Sequence, residues 1–205
     1  VAAVLALAAC GDGGADEAGG ASGASDGAVT AVAEDAVVYQ GGLTVLQKAD
    51  ADVPELCGMA TASIPPICGG IPVSGWDWES VEHETLHGVR WGDYIVTGVF
   101  DGESLVLTED PVSKAEVDMA DYPHLLPEEP EFPEPAEVLP VEELEALANE
   151  VTAAFPGLLY WARVDEAHSV VLIHALLATP ELEAYAAERF PEGAVLITSA
   201  LVPIG

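Results

Sequence analysis

His83-Glu84-Thr85-Leu86-His87 is the stretch of this 205-residue chain whose residue types and spacing most directly suggest chemistry. On a helix, histidines four positions apart share one face and can chelate a zinc ion. A glutamate beside the first then serves as general base for a zinc-bound water. The flanking Val81 and Val89 are compatible with such a helix, but Gly88 follows directly and a β-type run begins a few residues on. That leaves room for about three helical turns at most. The competing reading is a polar, solvated stretch that leads into a strand.

A zinc site of this kind needs a third protein ligand. Zinc peptidases that carry this motif either continue with a glycine and a further histidine or take a glutamate from a later helix. Arg90 stands in the glycine place and Tyr94 follows it. Asn149-Glu150 is the nearest source of a helical glutamate, with Ala154 where an accompanying aspartate would fall. Resemblance to the zinc-peptidase motif therefore implies His83, His87 and Glu150 as ligands, zinc as cofactor and Glu84 as catalytic base. This is the alternative to a protein without a cofactor. No Gly-x-Ser-x-Gly, phosphate loop or dinucleotide fingerprint is present.

The cysteines point to a compartment. Leu7-Ala8-Ala9-Cys10 closes an apolar run over residues 1–9 that is too short to cross a bilayer. It reads as the remnant of a signal peptide. The four residues resemble the lipobox of bacterial lipoproteins, which implies lipidation at Cys10 and a protein anchored on the extracytoplasmic face of the membrane. Setting Cys10 aside leaves Cys57 and Cys68, an even pair that an oxidising compartment favours as a disulfide. Such a short loop contributes on the order of 2–3 kcal/mol. A reduced pair or half of a metal site are the other readings.

Charge narrows the partners. Thirty-six acidic residues against five basic ones give a formal charge of −31. Nucleic acid and anionic lipid surfaces both require clustered Lys and Arg, so neither fits. Electrostatic steering favours a basic or cationic ligand, such as a cell-envelope protein. Half of the residues are hydrophobic, enough for packed cores.

The elements that must position these residues fall into an α+β arrangement. Residues 10–35, rich in Gly, Ala, Ser and Asp, read as a flexible acidic tether. Residues 36–110 read as a small β-rich, barrel-like disulfide module. Short β-type runs flank Gly41-Gly42, and two stronger ones flank Asp101-Gly102, a pair that predicts a type I′-like hairpin turn. Trp76, Trp78 and Trp91 fall within this module, as barrel core or as the lining of a sugar or peptide groove. Seven prolines over residues 111–140, with no Lys or Arg between Lys114 and Arg163, predict a stiff spacer and a domain boundary.

Residues 141–205 read as an αββαβ two-layer module. Val141, Leu144, Leu147, Val151 and Phe155 make one helical face, stopped by Pro156-Gly157. Thr179-Pro180-Glu181 starts a second helix with a hydroxyl cap, a first-turn proline and an acid on the dipole. Strands are predicted over 158–164, 168–177 and 194–198. His168 and His174 share a strand face in this reading, as core-edge or exposed side chains. The element order is similar in topology to pro-segments of secreted serine peptidases of the α-lytic type, a likeness from which no activity follows.

Pro65-Pro66-Ile67-Cys68-Gly69-Gly70, Gly75-Trp76-Asp77-Trp78, Trp91-Gly92-Asp93-Tyr94 and Phe100-Asp101-Gly102 resemble a segment of uncharacterised actinobacterial exported lipoproteins. The resemblance spans roughly residues 43–110. It implies a secreted module with Cys57 paired to Cys68 and assigns no activity. Together these readings point to a lipid-anchored extracytoplasmic protein with a non-enzymatic binding or accessory role, the alternative being a membrane-tethered zinc metallopeptidase.

Overall fold

The computed structural model describes residues 36–58, 60–126 and 130–205. They belong to one compact unit, an α+β fold in which a closed β-barrel shares its core with a smaller α/β layer. Cys10 and the tether over residues 10–35 lie outside the described residues.

The barrel is built from β1 (Val38–Gln47), β2 (Glu55–Cys57), β3 (Gly70–Ser74), β5 (Val89–Phe100) and β6 (Leu105–Leu107). Its pairing runs β1-β2-β3-β6-β5 and closes through β1 against β5, with Val38 opposite Val99 and Gln47 opposite Arg90. Only β3–β6 is parallel within this ring. Closure removes the open edges that a five-stranded sheet would otherwise present. Two short strands, β4 (Glu84–Leu86) and β7 (Val112–Ser113), add to β5 outside the ring. The interior follows from period-two alternation. Leu43, Val45, Tyr94 and Val96 point inward and pack on Leu56, Val73, Trp78 and Leu105.

Gly41-Gly42 does not interrupt β1, which runs unbroken through both residues. A Cβ on Gly41 would come within 2.8 Å of the Ala200 carbonyl oxygen, so the glycine admits a crossing chain rather than ending a strand. The turn at Asp101-Gly102 also differs from the type I′ expectation. Phe100 pairs with Leu105 across a four-residue loop, and the Asp101 carboxylate accepts from the Glu103 and Ser104 N–H groups. Local side-chain capping has replaced the tight turn.

The second layer has the expected order. Helix α1 (Val141–Ala154) precedes β8 (Leu159–Asp165) and β9 (Val170–Ala175), and α2 (Pro180–Arg189) precedes β10 (Val195–Ser199). The sheet order is β10-β9-β8, with β9 antiparallel to β8 and parallel to β10. Thr179 caps α2 by accepting from the Leu182 N–H. Leu144, Ala148 and Val151 of α1 and Leu182 and Ala186 of α2 pack on Val171, Ile173 and Ala175, so both helices cover one face of the sheet.

Residues 111–140 do not separate two modules as expected. The chain ends in β11 (Val202–Ile204), which pairs with Val38–Gln40 of β1, and Leu176, Leu177 and Leu201 sit in the barrel core. The proline-rich segment lies against what it was expected to hold apart. β7 pairs with β5, His124 bonds to Gln40, and the Ala136 N–H donates to the Glu192 carbonyl. Prolines deny this segment long regular elements without denying it contacts. No helix among the described residues is long and apolar enough to cross a membrane.

Candidate functional site

The string His83–His87 does not form a helix. Glu84–Leu86 is β4, and His87 and Gly88 are the two turn residues joining it to β5, with Leu86 paired to Val89. Their φ values of 53° and 82° are those of a type I′ hairpin turn. Four residues of strand advance about 13 Å, against about 6 Å for helix, so the two histidines lose the close pairing that chelation requires. His83 instead engages the Val81 carbonyl through Nδ1 at 3.0 Å and lies 5.1 Å from the Trp78 ring. Glu84 is exposed. Glu150 accepts from the Tyr185 hydroxyl at 3.0 Å and pairs with Arg189 at 3.1 Å. Among the described residues no three His, Cys, Asp or Glu side chains converge as a metal-binding group. The helical geometry on which the zinc reading depended is not formed.

Cys57 and Cys68 form a disulfide with their Cα atoms 5.5 Å apart. It packs with Leu46 under Val89 and Trp91, tying the end of β2 to the approach to β3. Trp76, Trp78 and Tyr94 make a mutual edge-to-face cluster with centroids 4.9–6.4 Å apart. Trp78 donates to Gln47 at 2.6 Å and Tyr94 to the Glu82 carbonyl at 2.7 Å. Burial, with the Asp93 charge adding to it, pushes the Tyr94 phenol up to about 12. These aromatics are core, not the lining of a groove.

A different aromatic group lies on the helix-free face of the three-stranded sheet. Leu159 opposes Ala175 and Trp161 opposes His174, so Tyr160 is the extra residue of a β-bulge. Bulges re-aim side chains. Here the bulge brings two consecutive rings to one imidazole: His174 lies 5.0 Å from Tyr160 and 5.5 Å from Trp161, tilted by 35° and 31°. Arg163, two residues further along β8, holds its guanidinium 4.5 Å from the Trp161 ring. Register sets the rest. Trp161, His174 and Thr198 form one row across β8, β9 and β10, and Arg163, Leu172 and Leu196 form the next.

The Thr198 hydroxyl lies 2.8 Å from His174 Nδ1 and 3.3 Å from the Ile173 carbonyl oxygen, joining β10 to β9 beside the imidazole. Burial lowers the His174 pKa below the ordinary histidine range, so the ring is neutral at pH 7. Burial and the Asp93 charge raise the Tyr160 phenol, which stays protonated. Arg163 is exposed, and among the described residues no carboxylate pairs with it. This tile therefore brings together aromatic rings, a neutral imidazole and an exposed guanidinium.

Sequence reasoning placed His174 on its strand but not in this company. His168, expected on the same face, lies in the β8–β9 turn, bonded to Asp165 and stacked 3.7 Å from Phe132. Alternation in Tyr160-Trp161-Ala162-Arg163 puts Trp161 and Arg163 together, but the bulge that adds Tyr160 leaves no mark in residue types. Comparison of the chain with protein-family models, curated proteins and solved structures finds no match.

Proposed function

We propose that this chain is a lipid-anchored extracytoplasmic protein with a non-enzymatic binding or accessory role, and that its ligand docks on the tile around Trp161 and His174. The observation that carries the reading is the bulge at Tyr160. It gathers Tyr160, Trp161, His174 and Arg163 on the one sheet face that neither helix covers. Leu7-Ala8-Ala9-Cys10 supports the anchor, and the Cys57–Cys68 disulfide supports an oxidising compartment. The acidic exterior acts separately and at longer range. It disfavours nucleic acid and steers a basic or cationic cell-envelope partner toward the molecule, with an approach that slows as salt rises.

The test is retention of the full chain on isolated bacterial cell envelopes, comparing the parent with Trp161→Ala and Arg163→Gln. Loss of retention in both variants, with the envelope material chemically unchanged, supports the reading. Equal retention of the parent and both variants refutes it. Palmitate incorporation checks the anchor: it is expected to disappear in Cys10→Ser, and labelling that persists removes Cys10 from the account.

A further inference from the structure

We infer that the loop closed by Cys57 and Cys68 is an inhibitory loop for serine peptidases with a small apolar specificity pocket, and that Ala62 fills that pocket. The loop is separate from the tile, and the inference does not rest on it. Residues 56–76 carry no charged side chain, although 20% of the whole chain is charged. Within that neutral stretch Thr61, Ala62 and Ser63 are exposed, and beside them Ile64 is 78% and Ile67 64% exposed. Two isoleucines held open on one tip mark a contact surface.

The tip is braced from inside on both sides of the Ala62–Ser63 peptide bond. On the first side, the Thr61 N–H donates to the Ile67 carbonyl at 3.0 Å, and Thr61 Oγ1 accepts from the Ile67 N–H at 2.9 Å. On the second, the Ser63 hydroxyl lies 2.6 Å from Thr61 Oγ1 and donates to the Pro65 carbonyl at 3.0 Å. The disulfide closes the base, beside a bond from the Gly58 N–H to the Gly69 carbonyl. Among the described residues the backbone groups of Ala62 and Ile64 have no hydrogen-bond partner, which leaves them to pair with a peptidase cleft as an added strand.

This bracing turns a substrate into an inhibitor. The peptidase serine adds to the Ala62 carbonyl and its proton passes to the peptidase histidine. The C–N bond then breaks, giving an Ala62 ester and a Ser63 amine that takes up that proton. From an unbraced peptide the amine diffuses away and water enters. Here the Thr61 bonds and the disulfide keep the amine beside the ester, so it attacks again, restores the peptide bond and returns the serine hydroxyl. Nothing is consumed, and a loop already rigid loses little entropy on docking. The residue before the cut sets the choice of peptidase. Ala62 is too small for a pocket shaped to an aromatic ring and lacks the cation that an acidic pocket requires, so an elastase-type pocket fits it.

The experiment measures amidolysis by pancreatic elastase, chymotrypsin and trypsin in the presence of the disulfide-bonded full chain. Elastase is expected to be inhibited competitively with a Ki on the order of 1 μM or tighter, and trypsin about 100-fold more weakly or not at all. Ala62→Lys is expected to reverse that order, losing elastase inhibition about 100-fold and gaining inhibition of trypsin. Ala62 is exposed, so this variant keeps the parent's thermal midpoint. Thr61→Ala removes the hydroxyl between Ser63 and Ile67, and net cleavage at the Ala62–Ser63 bond, read by mass spectrometry, should quicken about tenfold. The inference is overturned if elastase is not inhibited, if Ala62→Lys leaves the order unchanged, or if the parent is cleaved to completion without lasting inhibition. Trp161→Ala is expected to inhibit as the parent does, so failure of the loop leaves the tile standing and failure of the tile leaves the loop. Inhibition lost in Trp161→Ala would place the contact on the tile and overturn the loop.

Discussion

His83–His87 and the segment from Tyr160 to Arg163 both lie in strands beside an irregularity, and they use it in opposite ways. In the first, a two-residue turn at His87-Gly88 spends the histidine on backbone geometry and leaves Glu84 facing solvent. In the second, one extra residue draws Tyr160 and Trp161 to His174, and Arg163 in the adjacent row lays its guanidinium over Trp161. The motif-rich stretch spreads its polar side chains apart, while the stretch without a motif gathers four side chains together. What separates them is period. A helical motif carries chemistry only where four residues advance one turn, and in a strand the same letters are spread apart.

That contrast stands only if the two regions are parts of one fold, and the largest expected effect tests this. Leu176 follows β9 and is fully buried in the barrel core, its N–H donating to Leu158 and its carbonyl accepting from Leu201. Leu176→Ala is expected to cost about 2–5 kcal/mol. Near-UV signals from the Trp76–Trp78 cluster and from Trp161 should be lost in one coincident denaturant transition. Two separate transitions would restore the division at residues 111–140.

Next in size is the disulfide. Replacing Cys57 and Cys68 together by Ala is expected to cost about 3 kcal/mol by loop entropy, for a bridge whose partners are 11 residues apart. The damage should fall unevenly. Hydrogen exchange is expected to rise in β2, in β3 and around Trp91, which packs on the bridge, more than in β8–β10. Equal acceleration in both regions would make the bridge a global clamp and dissolve the distinction.

Legibility followed the same line as this contrast. The second layer could be read closely because its signals are local: a 3.6-residue apolar stripe for α1, a Thr-Pro-Glu start for α2, and β-branched runs between them. The barrel could be read as a class but not in its closure, which depends on pairing between β1 and β5 across 43 residues (Gln47 to Arg90) to 61 residues (Val38 to Val99). β11 was missed because three residues, one of them proline, give no strand signal until a partner edge exists. The proline-rich segment misled for a related reason: composition reports the lack of regular structure, not the lack of contacts. As for the site, Trp161 with Arg163 was within reach of simple alternation. Tyr160 was not, since a bulge is decided by the register of two strands together.

The smaller effects act on the two irregularities themselves. In the turn, Gly88→Ala forces a Cβ at φ 82° and to 3.0 Å from the Ala49 Cβ, with an expected loss of about 1 kcal/mol. His87→Asn should be neutral or slightly stabilising, since asparagine tolerates the left-handed conformation better than histidine does. A large loss of stability in His87→Asn would mean that the imidazole does more than occupy a turn. In the tile, the smallest effect is a pH dependence. Burial lowers the His174 pKa in the folded state, so the unfolded chain takes up a proton first as pH falls. The stability contributed by neutral His174 is therefore fully present above the ordinary histidine pKa of about 6.5 and is lost as pH drops below it. Asp165, whose pKa is lowered by its bonds to His168, gives up its contribution only in the carboxylate range at lower pH, so the two windows are distinct. Urea midpoints measured between pH 7.5 and 5.5, a window chosen about the histidine pKa, should decline in the parent and flatten in His174→Gln. A slope that is the same in His174→Gln as in the parent would remove this imidazole from the pH response.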